Sequence, residues 1–441
     1  MPRSAGQQRL FGLFALVALA LLSIVTPAFG QSGEQGLQST LTFENAEGQR
    51  VPAVGVTIVV TDETGAEIAS ATSDDSGTIE IAVPTPGNYV ASVDVDSLPE
   101  GISLRDPDRA SLDVEIRSGE SRNVLFALVE GEGGLPAGEG SGTASASLFF
   151  GLLFEGLKFG LIIAMCSVGL SLIYGTTGLT NFAHGELVAF GALIALALDV
   201  FGVPMLLAGP LAIIATAGFG AANEQFVWKP LRHRGTGLIS MLVISIGLSI
   251  LLRYLYLYQA GGRRIRYSQY SLQTGIDVGP ITIVPREMWI IVISVIALVV
   301  VAIGVKQTKI GKAMRAVSDN RDLAESSGID VERVIMVVWV AGGALAGLGG
   351  VLLGLDQGVR WDMGSELLLL MFAAVTLGGL GTAYGPLLGG LIIGIFVNIS
   401  TTPIGGVALP PELKNVGALF VLVVILLVRP QGILGQRERI G

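Results

Sequence analysis

The chain has 441 residues, 51% of them hydrophobic and only 14% charged, with a formal net charge of −9. Soluble domains carry about 25% charged residues, so an ordinary soluble protein is excluded, while the length leaves room for two or three domains. A single cysteine and two histidines exclude an internal disulfide and argue against a Cys/His zinc site. The charge is unevenly placed: residues 31–135 hold 19 acidic and 5 basic side chains, which leaves the remainder at +5. An acidic module is joined to a mildly basic, apolar body, and nucleic acid is not an expected partner.

In chain order, residues 1–30 read as a secretory signal. Arg3 and Arg9 form the positive start, Leu10 to Ile24 the apolar core, and "TPAFGQ" offers Ala28 and Gly30 ahead of a cut at Gln31. An uncleaved first membrane helix is the alternative, and either way the next segment is exported. Residues 31–129 are expected to form that exported domain. "VPAVGVTIVVTDETGAEIASATSDDSGTIEIAVPTPGNYVASVDV" alternates apolar and polar residues, with turn signals at "DETG", "DDSG" and "PTPGN". On this turn spacing it resembles the carboxypeptidase-regulatory-like, prealbumin-type sandwich family. Its acidic groups are scattered over turns, which suits solvated loops better than a calcium site, and no catalytic constellation is present. "EGEGGLPAGEGSGTASAS", 130–147, reads as a flexible linker.

From Leu148 to 435 the chain reads as a transmembrane domain. Apolar stretches at about 148–174, 184–201, 204–222, 237–257, 288–305, 334–355, 366–381, 385–401 and 414–428 are each candidates to cross a bilayer. The seventh and eighth are short and interrupted by glycine. The expected fold is therefore an all-α polytopic membrane bundle of about 8–9 transmembrane helices with an N-terminal all-β sandwich. If the sandwich is outside, loops 228–236 and 306–333 and the chain after Val428, including the tail 436–441, are cytoplasmic, and they hold 12 of the 20 basic residues from Leu148 onward, as the positive-inside rule requires. "GGRRIRYSQY", 261–270, runs against that rule. It must fold back onto the protein, or the helix count near it must change. Gly343 with Gly347, Gly350 with Gly354, Gly385 with Gly389 and Gly390 with Gly394 recur at spacing four, which reads as tight helix packing.

Two segments are polar enough to carry function. "NFAHGE", 181–186, sets Asn181, His184 and Glu186 between two apolar stretches. Gly175 and Gly178 permit non-helical backbone, which membranes tolerate only when it is buried in protein or lines a cavity. Asn181 can cap the second helix, and Glu186 in its first turn suits the helix dipole. A capped re-entrant turn and a place on the translocation path or gate are both open readings. The second segment, 306–333, places Ile310, Met314 and Val317 on one helical face. Asp319 or Asn320 can cap a second short helix, and Gly328 is a stop. Docking into a groove on a partner and lying on anionic lipid fit it equally.

Enzyme signatures are missing. Gly304 to Gly311-Lys312-Ala313 lacks the spacing and hydroxyl of a phosphate-cradling loop, so any ATP must be bound elsewhere. No nucleophile elbow or HExxH is present, and the HxE at His184 and Glu186 has no PCxxC to complete a deaminase site.

"SVGLSLIYGTTGLTNFAHGELVAFGALIA" (167–195), "GKAMRAVSDNRDLAESSGID" (311–330), "TLGGLGTAYGPLLGGLIIG" (376–394) and "LLVRPQGILG" (426–435) together resemble the high-affinity branched-chain amino acid ABC transporter permease family. The resemblance covers residues 148–435, and the sandwich lies outside the usual permease pattern. It implies a non-enzymatic permease subunit of an ATP-binding-cassette importer in the plasma membrane. The implied partners are cytoplasmic ATP-binding subunits, a second permease subunit and an extracellular solute-binding protein. The chain itself needs no cofactor. Loop 306–333 then becomes the ATPase coupling loop, with Arg315, Ala316, Ala324, Gly328 and Ile329 at the matching positions. Related urea or short-amide permeases usually have Met where Phe182 stands, which leans toward amino acids. An ATP-independent secondary transporter, suited by the broken seventh and eighth stretches, is the mechanistic alternative.

Overall fold

The computed structural model describes residues 36–400 apart from 45–49, 63, 100, 105–109, 117–120, 125, 127, 131–140, 271–272, 274, 280, 380 and 382–383, with scattered positions between 416 and 434. The signal segment, most of the linker and of the ninth apolar stretch, and the tail lie outside the described residues. The chain divides into two compact units, one within Gly30–Gly142 and one within Thr143–Gly441.

The first unit is all β. Its strands are β1 Gly36–Thr40, β2 Thr42–Glu44, β3 Arg50–Pro52, β4 Thr57–Asp62, β5 Glu67–Thr72, β6 Thr78–Ala82, β7 Gly87–Val93, β8 Ile102–Leu104, β9 Ser111–Ile116, β10 Ser121–Val124 and β11 Leu128–Glu130. They form sheets in the orders β10-β1-β6, β3-β2-β11-β8 and β5-β4-β7-β9. Alternation decides which way each strand faces. Ile58 and Val60 of β4, Ile79 and Ile81 of β6, and Tyr89, Ala91 and Val93 of β7 turn inward, where they meet Leu37, Val114 and Phe126 in one core.

Two of its turns are built alike. Asp62 Oδ1 accepts from Thr64 N (2.8 Å), Thr64 Oγ1 (2.6 Å) and Ala66 N (2.9 Å). Asp74 Oδ1 accepts from Ser76 N (2.9 Å), Ser76 Oγ (2.6 Å) and Thr78 N (2.9 Å). Gly65 and Gly77 supply the positive φ each turn requires. The hydroxyl bond comes first, and the backbone bonds add to it, in holding both carboxyls below the ordinary value. A depressed folded value means that the turns are supported above the ordinary carboxylate value and lose that support as pH falls through the folded one. Amide protection at Ala66 and Thr78 is therefore expected to hold at neutral pH and to decline below about pH 4. Hydrogen exchange on the full chain measures this, and Asp74→Asn should abolish the pH dependence at Thr78 alone.

The second unit is helical: α1 Ser141–Thr177, α2 His184–Val200, α3 Met205–Asn223, a π-helical turn Glu224–Trp228, α4 Lys229–His233, α5 Leu238–Ala260, α6 Pro285–Gln307, α7 Lys309–Asp319, α8 Arg321–Ser326, α9 Val331–Gln357, α10 Met363–Gly378 and α11 Gly385–Ile399. A short hairpin, β12 Ile276–Val278 and β13 Ile281–Ile283, precedes α6. α1 begins at Ser141, inside the stretch expected to be linker. Among the described residues, five helical segments are long and apolar enough to cross a membrane: Phe149–Thr177, Met205–His233, Leu238–Ala260, Pro285–Gln307 and Val331–Gln357. α10 and α11 are shorter apolar helices, as is the 17-residue α2. The chain is a multi-pass membrane protein.

α9 is the post around which the bundle packs. A Cβ on Gly350 would lie 2.0 Å from the Val188 carbonyl of α2, and one on Gly343 2.8 Å from the Thr216 carbonyl of α3. The α1–α11 crossing is as close, with Gly394 on Gly160 and Gly390 on Ala164. With lipid outside as apolar as the core, such backbone contact is what holds membrane helices together. The 261–270 loop does fold back. Tyr267 OH donates to the Ala192 carbonyl at 3.1 Å, Ser268 N and Oγ donate to Asp199, and Ile265 pairs with Val359.

Gly350→Ala puts a methyl against backbone that cannot yield. It is expected to cost about 1–3 kcal/mol, the range for overpacking, and to lower the melting temperature in detergent. Gly218→Ala on α3 meets nothing within 4 Å and should be neutral or stabilising.

Candidate functional site

α1 ends at Thr177, and Gly178, at φ +69°, turns the chain. The segment that follows re-enters the bundle before α2 starts. Phe182 N–H donates to Ser245 Oγ at 3.1 Å. Ser245 lies seven residues into α5, about 10 Å along its axis. Asn181 Oδ1 accepts from Ala183 N–H at 3.0 Å, and the Asn181 carbonyl accepts from His184 N–H at 3.2 Å. Asn181 thus closes an Asx turn one residue before the helix and does not bond a helical N–H with its side chain. His184 Nε2 lies 3.2 Å from the Cys166 carbonyl of α1, an acceptor only, so that nitrogen carries the proton.

Glu186 is completely enclosed. Its Oε1 accepts from Ser249 Oγ at 2.8 Å and from Arg253 Nε and Nη2 at 3.3 Å each, while Tyr256 OH donates to its carbonyl at 3.1 Å. All of these donors stand on α5. The three polar residues of "NFAHGE" are therefore brought together as a staple: Asn181 closes the turn, His184 ties it to α1 and Glu186 ties α2 to α5. A Cβ on Gly185, between them, would lie 2.3 Å from the Gly364 carbonyl of α10. Any bulkier residue there would push α10 away.

The segment 306–333 forms α7 and α8. Thr308 Oγ1 accepts from Gly311 N–H, Asn320 Oδ1 from Leu323 N–H and Asp330 Oδ1 from Arg333 N–H, each at 3.0 Å, so all three helix starts are capped. Of the two cap candidates, Asn320 serves. Gly328, at φ +84°, makes the turn into α9. Met314 and Val317 are buried against Val305, Val334 and Ile335. Ile310 is not on that face; it is 46% exposed. Gly311 takes the inward place instead, because a Cβ there would lie 2.3 Å from the Val305 carbonyl at the end of α6. Arg315 and Gly328 are exposed, Ala316 and Ile329 half-buried. Ala324 is only 3% exposed and packs within this chain; its small size serves the contact with α9. Leu323, 65% exposed, is the apolar residue that α8 presents outward beside its charges.

Charges inside apolar stretches were the signal that pattern reading passed over. Arg253 is one. Lys158, 1% exposed, is another: its Nζ lies 2.7 Å from Glu155, 3.0 Å from Glu287 and 2.6 Å from Asp356, joining α1, α6 and α9. The three carboxylates lie within 4.8 Å of one another, and the ammonium group occupies their centre. An ionisable residue within a membrane helix is costly enough that its partner is worth seeking from the start.

A glycine-packed bundle with buried ion pairs is the build of a polytopic membrane protein. The family described as "Branched-chain amino acid transport system / permease component" matches residues 152–428. The high-affinity branched-chain amino acid transport system permease protein LivH of Escherichia coli (strain K12) is 31% identical over 308 residues, 66% of this chain and 96% of that protein. BraD of Pseudomonas aeruginosa, a permease protein of the same description, is 29% identical over 309 residues, 65% of this chain and 95% of BraD. A probable LivH of Methanocaldococcus jannaschii is 29% identical over 295 residues, 64% of this chain and 92% of that one. The chain belongs to the branched-chain amino acid transport permease family, and its relatives are transport permeases, not enzymes. The β unit lies outside the matched residues.

Arg253→Leu strands the enclosed Glu186 carboxylate. Because Arg253 is itself 28% exposed, the expected cost is about 3 kcal/mol, the low end for breaking a buried pair. Glu186→Gln should cost less and should relieve much of the damage when combined with Arg253→Leu. Thermal unfolding of the three variants in detergent measures the coupling.

Proposed function

We propose that this chain is the transmembrane permease subunit of an ATP-binding-cassette importer that carries branched-chain amino acids across the plasma membrane. It pairs with a second permease subunit. ATP-binding subunits dock on α7 and α8 at the cytoplasmic face, and a solute-binding protein delivers cargo from outside. The β unit is extracytoplasmic and the C-terminus cytoplasmic. The observation that carries this reading is the family match across 152–428, which includes α7 and α8. Support comes from the exposed Arg315 and Leu323, which present a charge and an apolar side chain to an ATPase cleft. We read Asn181, His184 and Glu186 as the anchor of the gate: their enclosure suits holding α1, α2 and α5 together better than touching cargo.

The experiment is purification of the complex from its own cell in mild detergent, with mass spectrometry of what accompanies it. A cytoplasmic ATPase and a second permease are expected. The double variant Arg315→Glu/Leu323→Asp changes exposed residues and leaves the Met314–Val317–Ala324 face intact, so it should lose the ATPase while the chain stays folded. Vesicles containing the wild-type complex should take up leucine only with ATP. Uptake driven by an ion gradient with this chain alone would instead establish a secondary transporter.

A further inference from the structure

We propose that Glu332 is the positioning residue that passes movement of the α7–α8 pair into the bundle; the proposal rests on the importer reading above. Glu332 is the second residue of α9. Its Oε1 accepts from Arg321 Nη2 of α8 at 3.3 Å, and its Oε2 from Arg232 Nη2 of α4 at 3.2 Å. Lys229 Nζ and His233 Nε2, also on α4, each stand 3.7 Å from it. One carboxylate thus gathers cations from both neighbouring segments.

Exposed ion pairs are individually weak and adaptable. This one is held from behind. Arg232 also grips Glu224, donating from Nη1 to Oε2 at 3.0 Å and from Nη2 to Oε1. Arg232 and Glu224 are both buried, so the fork has one geometry to offer. Pro230 has no N–H to continue an α-helical ladder, and the turn 224–228 is π-helical. Trp228 at the end of that turn stacks on Trp339 of α9, with ring centroids 6.0 Å apart. The α3–α4 corner therefore meets α9 at two points, the Trp stack and Glu332, and is rigid against it.

α8 has no such stiffness of its own. Six residues are too few for a self-supporting helix, and its only buried residue is Ala324. Ala324 gives one apolar contact about which α8 can tilt. The Arg321–Glu332 bond supplies a second point and removes that freedom. A push on α7–α8 then moves α9, and α9 carries the glycine contacts with α2 and α3.

The test uses the complex purified with its ATP-binding partner, in liposomes, reading cargo moved per ATP hydrolysed. Glu332→Ala is expected to keep the ATPase bound and hydrolysing but to move about tenfold less cargo per ATP, and Arg321→Ala about fivefold less, within the usual range of coupling between sites. Glu332→Gln should recover part of the loss, since its amide oxygen still accepts from Arg321. Arg321→Ala leaves the buried Arg232–Glu224 pair intact, so it decides the matter if Glu332→Ala does not fold. Wild-type cargo per ATP in Arg321→Ala and Glu332→Ala overturns the proposal. So does a loss explained by detachment of the ATPase, which would make Glu332 a docking contact. Absence of any ATPase from the wild-type complex is a separate failure: it removes the importer reading, and this proposal with it.

Discussion

Between α1 and α2 the chain makes a turn whose polar side chains, Asn181, His184 and Glu186, are buried within the protein, and the surrounding architecture follows from that constraint. An open turn in a bilayer must bring its own donors and acceptors. Asn181 supplies one acceptor, Ser245 another, and the Cys166 carbonyl accepts a hydrogen bond from His184 Nε2. Glu186 then needs cations and hydroxyls of its own, and α5 provides Ser249 and Arg253. Satisfying one short turn therefore sets the mutual placement of three helices.

The same economy governs the other buried charges. Lys158 joins α1, α6 and α9 near one end of α9, and the Glu224–Arg232–Glu332–Arg321 set joins the π-helical turn, α4, α9 and α8 at its other end. Between these ends, α9 approaches α2 and α3 through glycine. A helix gripped by directional bonds at its ends and by smooth backbone contact in between can move as one body. α5 and α6 are the opposite case. Ile239, Val243, Trp289 and Ile296 are largely bare, as suits faces turned to lipid or to another subunit.

The sequence made much of this legible. Apolar length located the helices, because a bilayer-crossing helix must be about 20 apolar residues long. Alternation located the strands, and the Asp-Gly turn signals fell where Asp62 and Asp74 cap their own loops. Motif resemblance pointed to the family that the relatives define. Ile310 and Ala324 show where such reading stops. Helical spacing assigns a face but not what lies against it. Ile310 yields its place to Gly311 because the end of α6 comes too close for a side chain, and Ala324 is used by α9. Arg253 and Lys158 were visible as charges in greasy stretches, yet nothing local names Glu186 or Asp356 as their partners.

What the sequence by itself determined is the class: a multi-pass apolar body, an N-terminal β unit and a helix pair of defined caps. These depend on composition, period and local hydrogen bonding, all properties of neighbours in the chain. What only the tertiary structure decided is which polar groups meet. Glu186 and Arg253 are 67 residues apart, and Arg232 and Glu332 are 100 apart. Pairings at that range are selected by how helices cross, and the crossings are selected by where two backbones can touch.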